Sequence, residues 1–286
     1  MGVGLLGGSL GLALKRRRLA DSVVGYVRRE ASVQECKGAG AVDFATLDLA
    51  EAVAGAELIV FCTPLAQMLP LARELGPALK RGAIITDVGS VKSSVVAQLE
   101  DLLTKVGGHF VGSHPMAGAE KTGVGAARAD LFLNAVCVTT PTRKTNRVAL
   151  RKVEQLWKDV GARLLRLTPD THDALVSRSS HLPHVVAAGL ANLVLEPGRP
   201  TAQGALCANG FRDTTRIAAG SPEMWRDIAL ANRRNLTAAL GEFMADLQRF
   251  QRLLRRGDEA AVQRFFEQAK RRRDGWSQAA GSGSPE

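Results

Sequence analysis

Gly2-Val3-Gly4-Leu5-Leu6-Gly7 stands at the start of the chain, and its reading decides the fold. In a GxGxxG turn the first glycine allows a tight bend and the second lets the backbone approach a pyrophosphate. The third lets the following helix pack closely. That helix is expected over Ser9–Arg17, with unpaired N–H groups and a partial positive charge at its N-terminus to hold phosphates. The motif alone is not decisive; the strands and helices after it make it so.

Ala56–Cys62 (AELIVFC) reads as an apolar strand of the kind buried on both faces, and so does Ala83–Asp87 (AIITD). Val23–Tyr26, Phe110–Gly112, Ala135–Thr140 and Ala162–Leu167 are further short strands. Helical patterns lie between them at Leu47–Ala54, Leu65–Leu79, Ser93–Leu103 and Asn146–Val160. Strand–helix alternation of this kind predicts an α/β, Rossmann-type parallel sheet with helices on both faces. Such a sheet places a central strand ahead of the glycine turn, yet only Met1 precedes it. The first strand is therefore expected to be truncated, which would leave neighbouring backbone groups unpaired and weaken cofactor affinity.

After Thr168, an expected N-cap with Pro169 at the first helical position, strands cease. Helices are predicted over Asp170–Leu195, Thr201–Asn209, Pro222–Leu254 and Glu259–Arg273. The domain reading is thus 1–168 for dinucleotide binding, 169–274 for an all-helical domain, and 275–286 for a flexible tail. Apolar residues from Trp225 to Phe250 recur at helical spacing, a stripe that fits either a dimer interface or packing within the domain.

The 286 residues suit two domains, and 45% hydrophobic with 23% charged residues is the balance of a soluble globular protein. No apolar run reaches membrane-spanning length, and no secretion signal is visible. Cys36, Cys62, Cys137 and Cys207 form no CxxC pair, which fits a reduced cytosolic protein without a metal. The net charge of +10 suits anionic ligands. With only 5% aromatic residues, a nucleic-acid surface is not expected.

An NAD site usually carries an acid about 20 residues after the glycines, to bind the ribose 2′-hydroxyl. Val27 stands there instead, followed by Arg28 and Arg29. Loss of the acid and gain of two guanidinium groups favour NADP over NAD, against the plainer reading of two surface arginines.

Three segments carry the chemistry. They are Thr86-Asp87-Val88-Gly89-Ser90-Val91-Lys92, Gly112-Ser113-His114-Pro115-Met116-Ala117-Gly118-Ala119-Glu120 and Ser179-Ser180-His181-Leu182-Pro183-His184. With His172-Asp173 and Gly210-Phe211-Arg212-Asp213-Thr214-Thr215-Arg216, this set resembles the prephenate/arogenate dehydrogenase family over nearly the whole chain. The resemblance implies oxidative decarboxylation of prephenate or arogenate in tyrosine biosynthesis, with hydride transfer to NAD(P), in a cytoplasmic homodimer. It implies His114 as the base for the substrate hydroxyl, with Ser90 bonded to the same hydroxyl. Arg216 would bind a substrate carboxylate, and His184 and Ser180 would line the site. Thr63-Pro64 would border the cofactor ribose, and Glu120 would gate the site through an ion pair. His172 and Asp173 look structural or supporting.

Other readings stand beside these. A histidine after a strand is more often structural than catalytic. His181 and His184, three apart on one helix face, could hold zinc, although no further ligand cluster accompanies them. Ser90 could cap the helix at Ser93, and Arg212 or Arg216 could pair with a nearby acid. Pro183 could bend the helix merely for packing, or to turn His184 toward the cleft. Two other functions compete, a β-hydroxyacid-type dehydrogenase and a non-catalytic dinucleotide-binding redox sensor. The first would want a lysine on the helical domain, and none occurs between Pro169 and Ala269. The sensor would need the glycines but not Ser90, His114, His184 and Arg216 together.

Overall fold

The computed structural model of the chain describes residues 1–119 and 121–281, with residues 279–281 described by backbone alone. It divides into two compact units, Met1–Leu236 and the segment from Thr237 onward. The division at Leu236 leaves the first helices after Thr168 in the same unit as the sheets.

The first unit opens with α1 (Leu5–Arg17), then β1 (Val24–Tyr26), α2 (Glu30–Gly38) and β2 (Phe44–Thr46). There follow α3 (Leu49–Val53), β3 (Leu58–Phe61), α4 (Leu65–Leu75), β4 (Ile84–Asp87), α5 (Ser93–Lys105) and β5 (His109–Val111). Then come β6 (Ser113–Pro115), β7 (Val136–Thr139), α6 (Arg147–Asp159) and β8 (Arg163–Arg166). β1 pairs with β2, and β3, β4 and β5 form a second sheet, all in parallel. β7 and β8 are parallel, but β6 runs antiparallel to β7, so the sheet is not parallel throughout as expected. Gly112 separates β5, close to the predicted Phe110–Gly112 strand, from β6, which was not predicted as a strand. α2 and β2 are additions to the expected pattern; their apolar positions are too few to show a period.

Between β1 and β3 the expected first strand is present only as Met1 and Gly2. The Met1 amino group donates to the Val60 carbonyl at 3.0 Å, Cys62 N–H donates to the Met1 carbonyl at 2.8 Å, and Gly2 N–H donates to the Tyr26 carbonyl at 3.0 Å. Met1 and Gly2 thus bridge β1 and β3.

Strands β3 and β4 are apolar because both faces are covered. Ile59, Phe61 and Ile85 pack with Met68 and Leu75 of α4 and Leu99 and Leu103 of α5. On the other side Ile84, Val88 and Val111 meet Leu10, Phe132 and Trp157. Leu5 and Leu6 of the glycine turn and Ala117, beyond His114, pack against this second cluster. The glycine turn and the carboxyl ends of β4 and β6 therefore share one apolar floor.

After β8 come α7 (Pro169–Val176), a π-helical turn over Ser177–His181, and α8 (Leu182–Val194), in place of one predicted helix. Pro183 has no N–H to give the preceding turn, and the helix widens there. α9 (Thr201–Ala205), α10 (Asn209–Thr215) and a 3-10 turn over Arg216–Ala219 lead to α11 (Pro222–Ala231) and α12 (Arg233–Arg256). The expected continuous helix from Pro222 is broken at Asn232, whose buried side chain is engaged elsewhere.

The second unit holds the rest of α12 and α13 (Glu259–Gly281). They turn at Gly257, which has φ of +63°. Asp258 accepts the Ala261 N–H at 2.9 Å as a cap. Phe250, Phe265 and Phe266 form an aromatic cluster with centroids 4.6–5.6 Å apart. The flexible tail expected from Gly275 is helical as far as Gly281; residues 282–286 lie outside the described residues. One glycine does not end this helix, because the Lys270–Asp274 pair and Arg273 over the Trp276 ring at 4.7 Å support the turn across it.

Candidate active site

The glycine turn has the shape its sequence demands. Gly2 has φ of +84°, and a Cβ there would lie 2.8 Å from Thr63 Cγ2 and 2.9 Å from the Cys62 carbonyl oxygen. A Cβ on Gly7 would collide with the Gly2 carbonyl oxygen. At Gly4 it would meet nothing within 4 Å, so the backbone is open to a ligand at that point. Gly4 caps α1 without a side chain, and the first turn has no acid. The N–H groups and the positive end of α1 are thus available to an anion. Beside Gly2, Thr63 Oγ1 is buried with no partner, a group that asks for one. Pro64 follows it as the N-cap of α4. These features fit a dinucleotide.

At the end of β1, Val27 is buried, and Arg28 and Arg29 are exposed. Arg28 makes no hydrogen bond or ion pair with the described residues. The Arg29 guanidinium reaches Ser32 Oγ at 3.2 Å and Glu35 at 3.8 Å. Arg29 also lines an open cavity of about 560 Å³ with Glu35, Ala39, Gly123, Val124 and Gly125.

His114 sits on β6 and is buried. Its Nδ1 lies 2.8 Å from His172 Nε2, and His172 Nδ1 lies 2.8 Å from Asp173 Oδ1. Asp173 then accepts the Lys92 N–H at 2.7 Å and the Ser93 N–H at 2.9 Å. α5 has no side-chain cap of its own, so a carboxylate from α7 caps it. Burial raises the Asp173 pKa, but the hydrogen bonds from His172, Lys92 and Ser93 outweigh it and hold the group below its ordinary value. Burial above all, then the neighbouring His172 and Lys92, keeps the His114 pKa well below 6.5. His114 is therefore neutral at physiological pH.

Behind His114 lies a buried ion pair. Lys92 Nζ bonds Asp87, and donates to the Ser113 carbonyl at 2.8 Å. Asp87 also accepts the N–H groups of Gly89 at 2.8 Å and Ser113 at 3.1 Å. Ser113 Oγ accepts the Trp157 indole N–H at 3.0 Å. This network fixes the ends of β4 and β6. Ser90, half-buried, lies on the loop it holds, two residues before Lys92. Lys92, not Ser90, is the N-cap of α5.

The helical segment adds a cavity of about 380 Å³, lined among others by His181, His184, Ile217, Trp225 and Ile228. His184 Nδ1 donates to the Ser180 carbonyl at 3.0 Å, and the ring stacks on Trp225. His181 is buried; its Nδ1 lies 3.2 Å from Asn232 Nδ2, and its Nε2 has no hydrogen-bond partner. Burial pushes the His181 pKa down to about 4 despite the Asp173 charge and the nearby Ser90 backbone. Asn232 Nδ2 also donates to the Asp173 carbonyl at 2.8 Å, which joins this cavity wall to the His114 network. No third His, Cys, Asp or Glu joins His181 and His184 in a metal-holding group among the described residues. Arg216 is exposed and opens the 3-10 turn whose next residues, Ile217 and Ala218, line the cavity. That turn packs on α8. Glu120 lies outside the described residues.

Sequence reasoning singled out Ser90, His114, Ser180 and His184, weighed His181 only as a zinc ligand and Trp225 only as part of an apolar stripe, and assigned nothing to Asp87, Lys92 or Asn232. Lys92 and His181 stood inside the quoted segments, and their burial is what gives them weight. Asn232 left no sequence signal, since an asparagine in an amphipathic run reads as a surface residue.

Comparisons with known proteins bear on the whole chain. Residues 10–166 match the family model described as prephenate dehydrogenase, nucleotide-binding domain, and residues 168–268 match that described as prephenate dehydrogenase, dimerization domain. The chain is 36% identical to the prephenate dehydrogenase of Bacillus subtilis, over 96% of this chain and 74% of that protein. It is similar to the crystal structure of prephenate dehydrogenase from A. aeolicus in complex with hydroxyphenyl propionate and NAD+. The TM-score there is 0.89 at 32% identity, covering 96% of each chain. Synechocystis arogenate dehydrogenase gives a TM-score of 0.80 at 31% identity, covering 96% of this chain and 98% of that one.

Proposed function

The chain belongs to the prephenate dehydrogenase family, and from that premise we propose that it oxidatively decarboxylates prephenate or arogenate in tyrosine biosynthesis. The observation that carries this reading is His114, a buried, neutral imidazole at the strand ends that share an apolar floor with the glycine turn. Turnover of prephenate and arogenate, monitored by nicotinamide reduction in the wild type and in His114→Asn, tests it. Loss of kcat with dinucleotide binding retained supports the assignment.

The roles follow from the chemistry. A bound nicotinamide dinucleotide supplies the hydride acceptor. His114 takes the proton of the substrate's C4 hydroxyl as that carbon is oxidised to the ketone level, and Ser90 hydrogen-bonds the same oxygen. The carboxylate at C1 leaves as CO2, its bonding pair moves through the ring onto the C4 oxygen, and that oxygen takes the proton back from His114 as the ring becomes aromatic. Arg216, at the rim of the helical cavity, holds a substrate carboxylate with its planar fork. His184 and Ser180 shape the wall beside it, and Glu120 gates the site. Gly2, Gly4, Leu5, Leu6 and Gly7 cradle the pyrophosphate, and Thr63 and Pro64 border the ribose. Residues 1–168 serve the dinucleotide, and residues 169–274 serve substrate and dimerisation.

NADP is the preferred cofactor in this proposal. Val27 removes the acid that would repel a 2′-phosphate, and Arg28 and Arg29 stand exposed beside it. Arg28→Ala and Arg29→Ala are expected to raise KM for NADP and leave KM for NAD unchanged. A wild type that clearly favours NAD contradicts this.

The protein is further proposed to be a cytoplasmic homodimer. Support comes from large apolar residues left exposed on α12 and α13, among them Met244, Leu247, Leu254, Phe266 and Trp276. No helix among the described residues is long and apolar enough to cross a membrane.

A further inference from the structure

We propose that His172 and Asp173 are positioning residues that fix the tautomer of His114, keeping its proton on Nδ1 and leaving Nε2 as the ring's free acceptor. The proposal rests on the reading of His114 as the base for the substrate hydroxyl, and it explains how one particular nitrogen of that ring is kept ready.

Asp173 anchors the relay. Its carboxylate receives two backbone N–H groups at the start of α5, Lys92 to Oδ1 at 2.7 Å and Ser93 to Oδ2 at 2.9 Å. The positive end of a 13-residue helix and two amide donors keep it ionised and able only to accept. His172 Nδ1, 2.8 Å from Oδ1, must therefore carry a hydrogen. A neutral imidazole has one N–H, so His172 Nε2 is then a lone pair. His114 Nδ1 lies 2.8 Å from that lone pair and must be the donor. One N–H is again all a neutral ring has, so His114 Nε2 is unprotonated. It makes no hydrogen bond with the described residues.

The reverse arrangement needs a doubly protonated His172 donating to His114. That would place an imidazolium, fully buried, in a core that already contains the Lys92 ammonium. Asp87 already balances Lys92, and Asp173 already receives two amide N–H groups at the positive end of α5, so adding a proton to His172 buries a further cation that the neutral ring avoids. The two imidazole rings meet edge to face, at 71° with centroids 5.1 Å apart, so the bond between them lies along a ring edge. The carbonyl of Asp173 accepts from Asn232 Nδ2 at 2.8 Å, which ties the residue to the start of α12 as well.

The relay has a second consequence in the reaction. When Nε2 takes the hydroxyl proton, His114 becomes an imidazolium whose Nδ1–H still points at His172. The new charge is then shared along hydrogen bonds to the Asp173 carboxylate, with no proton passing beyond His114. An orienting carboxylate that sets a catalytic imidazole's tautomer is known to matter by orders of magnitude in kcat in serine proteases.

The test uses the full-length protein labelled with 15N at histidine, together with His172→Phe and His172→Gln. Phenylalanine keeps the ring volume and removes the acceptor; glutamine keeps an acceptor near the position of Nε2. Nitrogen–proton correlation spectra at neutral pH should show His114 as the Nδ1–H form in the wild type and in His172→Gln. They should show it moving toward Nε2–H in His172→Phe. In the same variant kcat should fall about a hundredfold, with KM for the dinucleotide unchanged, and His172→Gln should recover most of the loss. An Nε2–H form in the wild type overturns the proposal, even if His172→Phe does not fold. So does a loss of kcat in His172→Phe without a change of tautomer, because that loss is structural. If the tautomer moves as expected while the wild type turns over neither prephenate nor arogenate, the relay stands and the functional reading fails.

Discussion

His184 lies flat on Trp225, with ring centroids 3.6 Å apart and planes inclined by 28°. The Ser180 carbonyl holds the imidazole in this orientation through Nδ1, and the pair forms one wall of the helical cavity. Trp225 in turn meets His181 edge-on at 6.2 Å. An aromatic pair of this kind is worth about 0.5–1.5 kcal/mol beyond its buried area. Trp225→Ala is expected to raise substrate KM about twofold to twelvefold, with KM for the dinucleotide unchanged. Steady-state kinetics with each ligand varied in turn checks this; an equal rise in both constants would place the pair outside the substrate site.

The pH profile should report His114. Burial first, then His172 and Lys92, hold its pKa well below 6.5. A base of this kind is already unprotonated at pH 6.5, so kcat/KM should stay level as pH falls through that value and decline only at lower pH. His114→Asn should lower kcat by roughly a hundredfold to ten-thousandfold. A wild-type profile that bends at or above 6.5 would assign the titration to another group.

Much of this site was legible before the structure. The glycine turn, the apolar strands β3 and β4 and the place of Ser90 after a strand come from spacing and residue type; His114, expected after a strand, lies within β6. What sequence could not reach is the depth of Lys92 and His181, because burial depends on elements far apart in the chain. The Asp173–Lys92 backbone bond joins residues 81 apart, and Asn232 reaches Asp173 across 59. The bend at Pro183 was readable from its missing N–H, whereas the break at Asn232 was hidden, since an apolar stripe continues across it. The antiparallel turn-back of β6 depends on Gly112 and on pairing with β7, which three residues of pattern cannot announce.

Protein stability should fall in acid through His181. The group titrates at about 4 when folded and near 6.5 when unfolded. The folded pKa is the lower one, so the unfolded chain binds the proton first. The contribution is complete above pH 6.5 and is lost as pH falls toward 4, on the order of 3 kcal/mol in all. Urea unfolding at several pH values between 7.5 and 4.5 measures it. His181→Gln should be less stable than the wild type at pH 7.5 and lose less of its stability on acidification; parallel curves would remove His181 from this role.

Lys92 and Asp87, both fully buried, should be strongly coupled. Lys92→Met leaves an uncompensated buried carboxylate and should cost about 3–5 kcal/mol. Adding Asp87→Asn removes that charge, so the double variant should be less destabilised than the sum of the two single ones. A double-mutant cycle by urea denaturation gives the coupling directly, and strict additivity would show that the pair contributes nothing as a pair.

Whether His114 serves as the base for an oxidative decarboxylation driven by a nicotinamide cofactor is decided by initial rates. Prephenate and arogenate are each crossed with NAD and NADP, in the wild type and in His114→Asn. Turnover of at least one substrate is expected, with CO2 and reduced nicotinamide formed one for one, faster with NADP and nearly abolished in the variant. Undiminished turnover in His114→Asn, or none by the wild type with either substrate, would contradict the assignment.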